Sequence, residues 1–528
     1  MDISFLFIAI MVFIYSYYGF YWYKDYNQNL FIGYTTLRSL SLNLNTIGKA
    51  KYIVIADAIR QAIKQGQVAP AEALPSARKL AEQLKTNRHT IMAAFAELVA
   101  EGWVEAKERS GYRVASDLPI QASQSIDKVE TSQKQFQWQF VRKGIIQKPI
   151  KATDFKYNFA GGQPDLRIFP FDEFRGHFSQ ACQKPRFDDL SYGDSKGLPE
   201  LIDQVSTYLR RVRSITNKEI MICNGSQEAL YMVSQLLLLP DDKVAVEELG
   251  YPPAWAAFRS AGAELVGIKQ DDKGILPDHL EQQLKTNTIK LLYLTPLHQY
   301  PTTVTLDAAR RMKIYQLAAK YKVAIIEDDY DHEFHYKCQP IAPMAADDPV
   351  GLVIYISTFS KLMFGGARVG YVAANNELIN GLAGYKTLMN HKNNVLIQQT
   401  VARWMKEGGF ECHLRRMTRI YQKRRDITVE ILIHYQKLGL PIQFKSPDGG
   451  MALWLDMGKS IFGLKEKLFA KQVYLQTQFE FNLDNGNDAQ VAHSSSSRFI
   501  RIGFAAMEEN ELKQGLSIIM STLYEDNV

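Results

Sequence analysis

The spacing of apolar and polar positions changes three times along the 528-residue chain. Residues 3 to 23 carry no charge between Asp2 and Lys24, and Phe5 to Ile14 is wholly apolar. From about 51 to 115 apolar positions recur at helical spacing: Leu80 and Leu84 share one face, and Ile91, Phe95 and Leu98 fall at i, i+4 and i+7. Residues 116 to 150 lose that periodicity and are rich in Ser, Gln and Lys, as a linker is. From about 155 onward, apolar runs of strand character (KVAVEE, KLLYLTP, VAIIEDD, LVIYIST, VGYVAA) alternate with helical patterns. That alternation predicts an α/β unit with a mostly parallel sheet and a smaller C-terminal lobe. The expected domains are 1–50, an extension; 51–115, a helical head; 116–150, a linker; and 151–528, the large unit.

The apolar start raises its own question. At about 1.5 Å per residue a helix over residues 3–23 reaches about 31 Å, the thickness of a bilayer core. Its second half is mostly Tyr, which prefers the headgroup layer. No basic n-region and no small-residue cleavage site precede Lys24, which argues against a cleaved signal peptide.

Composition narrows little. The chain is 46% apolar and 22% charged, ordinary for a globular protein, and its net charge of +6 neither demands nor excludes a polyanionic partner. Cys182, Cys223, Cys338 and Cys412 are widely spaced, without the pairing of a zinc site, so the expectation is a reducing compartment and no metal.

In the helical block, LPSARKLAEQLKTNRHTIMAAFAELVAEGW places Ser76 as a helix cap, a short turn at Lys85 to Arg88, and a second helix from Arg88 to Glu101. Trp103–Ala106 and Tyr112–Ala115 can pair around a Glu-Arg-Ser-Gly turn as a small wing. The second helix would present Asn87, Arg88, His89 and Thr90 to phosphates and base edges, with Arg78 and Arg109 on the backbone. Ten Lys or Arg against seven Asp or Glu over residues 51–115 is only a small basic excess, so an ordinary three-helix module with a solvated basic face is the competing reading. The segment, with the preceding YIVIADAIRQAIKQGQV, resembles the winged helix-turn-helix of the GntR family of bacterial repressors, which implies binding to a double-stranded DNA operator.

Five motifs fall in order in the large block. Asn224-Gly225-Ser226-Gln227-Glu228 opens a helix after a strand, where small residues let N–H groups approach a phosphate; an ordinary helix start is the alternative. The apolar run Ala324–Ile326 ends in Glu327, Asp328 and Asp329, at the strand end where such sheets bind ligands, or as a loop or cap carboxylate. Lys361, in Ser-Thr-Phe-Ser-Lys, is a candidate for a Schiff base or a solvated loop charge. Arg368 follows seven residues later, and Arg501 sits inside the apolar pattern FIRIGFA, where burial requires an anion.

Together these resemble the fold-type-I aminotransferases, which use pyridoxal 5'-phosphate. The resemblance implies that Lys361 holds the cofactor as an internal aldimine. Asp328 would pair with the ring nitrogen, and Tyr330 would hydrogen-bond the ring oxygen. Gly225, Ser226, Gln227, Thr358 and Arg368 would hold the phosphate, and Tyr251 would stack on the ring. Tyr192, in LSYGDSKG, would reach the phosphate of the neighbouring subunit, implying a homodimer, and Arg501 would bind an amino acid's carboxylate.

A GntR-type head joined to such a block resembles the MocR/GabR group of transcription regulators. The group implies a head-to-tail dimer in which an amino acid or amine displaces Lys361 and alters DNA binding. The chain departs from aminotransferases at Gln299-Tyr300-Pro301-Thr302-Thr303: the asparagine that meets the ring oxygen is absent, and Thr303 replaces a turn glycine. Complete transamination is therefore the second reading, as an active aminotransferase with a tethered DNA-binding module. Lys24, Arg38, Lys49 and Lys51 follow the apolar start and favour a cytoplasmic side for all that comes after. The expectation is a cytoplasmic protein, with residues 3–23 either an inner-membrane tether or a dispensable extension ahead of the true start.

Overall fold

The computed structural model describes residues 35–37, 40–42, 50–107, 111–118, 154–183, 187–337, 341–483 and 497–525. The apolar segment 3–23, Arg109 and all of the expected linker beyond residue 118 lie outside them. Among the described residues no helix is long and apolar enough to cross a membrane. The chain divides into two compact units, Met1–Gln147 and Lys148–Val528.

In the first unit a short antiparallel pair, Thr35–Leu37 with Leu40–Leu42, precedes the head. The head consists of α1 (Lys51–Lys64), α2 (Ala77–Gln83), α3 (Arg88–Ala100) and the paired strands β1 (Val104–Lys107) and β2 (Gly111–Val114). Ser76 caps α2 by accepting from the Lys79 amide at 3.3 Å. Lys85 adopts φ of 47°, which breaks the helix and lets α3 start three residues later at Arg88. Ile91, Phe95 and Leu98 are fully buried against Ile55 and Ile59 of α1. The Phe95 ring stacks on Tyr112 at 4.4 Å, so one helical spacing both packs α3 and pins the wing.

The second unit is built on a seven-stranded sheet. Its strands are β3 (Glu219–Cys223), β4 (Lys243–Glu247), β5 (Glu264–Ile268), β6 (Ile289–Leu294), β7 (Ala324–Asp328), β8 (Val353–Thr358) and β9 (Gly370–Ala374). Their order is β3-β9-β8-β7-β6-β4-β5. All pairings are parallel except those of β9, which runs antiparallel to both neighbours. Alternate side chains feed two separate cores, which explains why the strands read as continuous apolar runs. Val246, Tyr293, Ile326, Ile356 and Val372 pack on one face. Ala245, Leu292, Ile325, Tyr355 and Ala373 pack on the other.

The helices that matter for the site are α4 (Pro199–Arg213), α5 (Ser226–Leu237), α6 (Pro252–Ser260) and α7 (Asn376–Met389). The smaller C-terminal lobe carries an antiparallel sheet of β10 (Gln443–Phe444), β11 (Ala452–Asp456), β12 (Gln476–Thr477) and β13 (Phe499–Gly503), in the order β10-β11-β13-β12.

Candidate functional site

A pocket opens where β6, β7 and β8 end, the edge at which parallel sheets bind ligands. Its walls include Ser226, Gln227, Tyr251, Asp328, Tyr330, Thr358, Lys361 and Arg368. Segments up to 207 positions apart in sequence, Gly161 and Arg368, are thus joined in one cavity. Gly225 and Arg501 stand directly behind that wall. Tyr192 is elsewhere: it is 75% exposed, with its ring 5.0 Å from that of His391.

Asp328 is the last residue of β7 and follows Ile326 on the same sheet face. Tyr293 of β6 donates its hydroxyl to Asp328 Oδ2 at 2.8 Å, while Oδ1 is buried without a partner. Burial pushes the Asp328 carboxyl up to about 7, against the pull of the Tyr293 hydrogen bond. A buried acceptor left open in this way suits a ligand N–H. Lys361 Nζ donates to the Gly162 carbonyl at 2.8 Å. Burial lowers its pKa, which raises the share of neutral, nucleophilic amine. Tyr330 lines the pocket, but its hydroxyl already donates to the His298 carbonyl at 3.0 Å, leaving only its lone pairs for a ligand. Tyr251 and Tyr300 meet edge to face at 5.1 Å and form the aromatic wall.

One end of the pocket is the start of α5. Gly225 is its N-cap, with φ of 83° and no side-chain cap, so the first-turn N–H groups point outward. A Cβ at 225 would lie 3.0 Å from Arg368 Nη2, so glycine here also makes room for the guanidinium. Arg368 Nη2 donates to the Asn224 carbonyl. Thr358 donates to the Val369 carbonyl at 3.2 Å and meets Ser360 Oγ at 2.8 Å. Gln227 donates to the Pro253 carbonyl at 2.9 Å, and its Oε1 is buried without a partner.

Arg501, on β13, is 1% exposed. Its guanidinium lies 4.2 Å above the Tyr300 ring, and its Nε and Nη1 have no partner. It packs so closely on Gly161 that a Cβ there would be 1.7 Å from Nη1. A buried cation with open donors beside a cavity wall has the chemistry to pair with an anion.

In the Gln299–Thr303 turn, Gln299 Nε2 donates to the Leu249 and Tyr300 carbonyls at 2.7 and 2.6 Å. It serves the turn, and Tyr300 faces the pocket instead. Thr303 holds φ of 62°, a conformation unfavourable for a β-branched residue.

On the head, Arg88 and His89 are exposed at the start of α3, Thr90 is half-buried, and Arg78 is exposed, 3.6 Å from Glu82. Asn87 spends its Oδ1 capping α3 through the His89 amide at 2.9 Å, which leaves only its amide nitrogen to meet a base or phosphate.

The sequence pattern assigns no pocket role to Tyr293, to Tyr300 or to the Gly161–Gly162 wall. A tyrosine in a strand reads as an ordinary β-former, while Gly-Gly-Gln-Pro after Tyr157 was the signal that could have marked a close backbone approach.

Comparison with known proteins covers both units. The family model for class I and II aminotransferases matches residues 184–519, and that for bacterial regulatory proteins of the gntR family matches residues 51–114. The probable rhizopine catabolism regulatory protein MocR of Rhizobium meliloti is 26% identical over 465 residues, 88% of this chain and 92% of that protein. Aromatic-amino-acid aminotransferase 1 of Thermococcus litoralis is 28% identical over 388 residues, 72% of this chain and 90% of that one. The crystal structure of kynurenine aminotransferase from Pyrococcus horikoshii superposes with a TM-score of 0.65 at 27% identity, over 73% of this chain and 97% of that chain.

Proposed function

The chain belongs to the class I and II aminotransferase family, and from that premise we propose that it is a DNA-binding transcription regulator whose large unit senses an amino compound. The family is pyridoxal-phosphate-dependent, and the pocket fits that cofactor on three counts. Asp328 Oδ1 is an open buried acceptor for a protonated ring nitrogen, the uncapped start of α5 with Arg368 receives a phosphate, and Lys361 is a buried amine between them. Gly225, Ser226, Gln227, Thr358 and Arg368 would hold the phosphate, Tyr251 would stack on the ring, and Tyr330 would accept at its edge. When bound, the cofactor supplies a reactive carbonyl carbon and an electron-withdrawing ring.

The observation that carries the sensing role is Arg501, buried with unpaired nitrogens beside this pocket. It selects an amino compound with a carboxylate, whose amine would take the place of Lys361. The GntR-like head reads a double-stranded operator through Arg88, His89 and Thr90, aided by Arg78, Asn87 and Arg109. Effector binding and DNA binding are then linked, and the linkage is reciprocal: each ligand changes the affinity of the other by the same factor.

The proposed assembly is a head-to-tail homodimer in which Tyr192, exposed on its own chain, reaches the pocket of the neighbouring subunit. The head works where the DNA is, in the cytoplasm. An inner-membrane tether through residues 3–23 fits only the orientation that keeps Lys24 and all that follows on that side. Fractionation of the native protein, with sequencing of its N-terminus, separates a tether from a dispensable extension.

The second reading, an active aminotransferase with a tethered DNA-binding module, is favoured by the presence of Lys361, Asp328 and Arg501 together. One experiment separates the two. The purified protein is mixed with amino acids and keto acids, its visible spectrum is followed, and binding to the adjacent promoter is measured with and without each amino acid. An effector that shifts both spectrum and DNA affinity supports the regulator. Sustained turnover without specific promoter binding overturns it.

A further inference from the structure

Behind the start of α5 lies a polar network of buried and half-buried side chains that meets the pocket wall only through Asn224 and its neighbours. Lys386, on α7, is fully buried. Its ammonium donates to Glu228 Oε2 at 3.2 Å, to the Ile222 carbonyl at 2.9 Å and to Asn393 Oδ1. Glu228, in the first turn of α5, takes four donors. Oε2 accepts from Lys386 and from the Asn224 amide at 2.6 Å, and Oε1 accepts from Asn224 Nδ2 at 2.8 Å and Asn390 Nδ2 at 2.6 Å. Asn393 Nδ2 closes the ring by donating to Asn224 Oδ1 at 2.7 Å. Three of these bonds end on Asn224, whose carbonyl receives Arg368.

We propose that Glu228 and Lys386 act as a positioning pair that holds the Asn224–Gly225 turn in the shape that presents its N–H groups and Arg368 to a phosphate. This rests on the reading of the pocket given above. The argument is electrostatic as well as geometric. A carboxylate three residues past the turn would repel a dianion at the same helix start, unless a cation neutralises it. Lys386 is that cation, and its burial keeps the cancellation from being screened. The pair cancels, so Arg368 and the helix dipole remain as the net positive field at the turn. Both charged groups also spend their hydrogen bonds on the backbone and side chain that shape the turn, at Ile222 and Asn224.

The test uses the full chain stripped of cofactor and two probes, pyridoxal 5'-phosphate and pyridoxal, which lacks the phosphate. Affinities are read from the visible absorbance. Removing the Glu228 acceptor of the Asn224 amide is expected to weaken binding of the phosphorylated probe about ten- to a hundredfold, the range for a lost hydrogen bond to a charged group, and to leave pyridoxal binding unchanged; in Glu228→Gln alone the uncompensated Lys386 charge offsets part of that loss, and the charge-neutral double variant shows it in full. The single change strands the buried Lys386 ammonium and can impair folding, so the double variant Glu228→Gln/Lys386→Met, which removes both charges, is measured beside it. It is expected to keep the wild-type urea midpoint and show the full selective loss. Unchanged affinity for the phosphorylated probe in the double variant overturns the proposal, and so does an equal loss for both probes. Wild-type protein that binds neither probe overturns the underlying reading of the pocket before any variant is made.

Discussion

The two faces of the sheet at the end of β7 treat neighbouring carboxylates in opposite ways. Asp328 continues the Ile326 face into the pocket, with one oxygen bonded to Tyr293 and the other open. Asp329 points to the far face. There Arg213 of α4 meets its Oδ2 at 2.6 Å, and the Tyr355 hydroxyl donates to the same oxygen at 2.6 Å. The first carboxyl is pushed up to about 7 by burial, and the second is held below the ordinary range, chiefly because Arg213 outweighs its burial. Arginines repeat the contrast, since Arg213 is paired and Arg501 is not. Neither burial nor an open hydrogen-bonding atom alone marks a site, because Asp329 Oδ1 and Arg213 Nε are also buried without a partner; a buried charge that lacks an opposite charge and sits at a cavity does.

The contrast can be broken from either face. The largest effect is expected at Lys361: Lys361→Ala should abolish the imine absorbance band of protein saturated with pyridoxal phosphate and the covalent attachment of the cofactor to the chain after hydride reduction, and retention of both would displace the assignment. On the far face, Arg213→Met leaves Asp329 buried and unpaired, and should cost about 3–5 kcal/mol in urea unfolding. Arg501→Met on the pocket face removes an unpaired buried charge. It should leave the stability of the cofactor-free protein unchanged or raised while abolishing the response to amino acids; a loss as large as that of Arg213→Met would erase the distinction.

The pH dependence of the two carboxyls has opposite signs. Because Asp328 in the folded, cofactor-free protein titrates near 7 rather than near 4, the folded state holds a proton that the unfolded state lacks between those values. Its contribution to stability falls as pH rises across that window, by at most about 4 kcal/mol at about 1.4 kcal/mol per unit. Asp329 is lowered, so its contribution is present above the unfolded value and is lost only as pH falls through the folded one. Urea midpoints at pH 5 and pH 8 should differ less in Asp328→Asn than in the wild type. The smallest effect is expected on the head: Arg88→Ala should weaken operator binding about tenfold and reduce the salt slope by about one, with the cofactor spectrum unchanged.

Much of this arrangement was legible in the sequence, for identifiable reasons. Continuous apolar runs of strand length marked β4, β6, β7, β8 and β9, and the 3.6-residue spacing of Ile91, Phe95 and Leu98 marked α3, because burial on two faces or on one imposes those patterns directly. Charged residues at strand ends, Asp328 and Lys361, stood out against apolar runs. Two things were invisible. The direction of β9 depends on the return path from Lys361 to Gly370, which hydropathy does not encode. The roles of Tyr293 and of the Lys386–Glu228 pair depend on contacts across 35 and 158 positions, which no local pattern records.

The contact of Arg501 with Gly161 carries a consequence for synthesis. These residues are 340 positions apart, by subtraction of their numbers, and the Lys361 bond to Gly162 spans a further 199. The pocket wall is thus closed by some of the longest loops in the chain, and loop closure of that length precedes any reward from the contact. A ribosome-bound chain ending before β13 would have Lys361 and Asp328 but not the Arg501–Gly161 contact that backs the pocket wall. A complete pocket belongs to the finished polypeptide, whereas the head, assembled from contacts within residues 51–115, can fold while the rest is still being made.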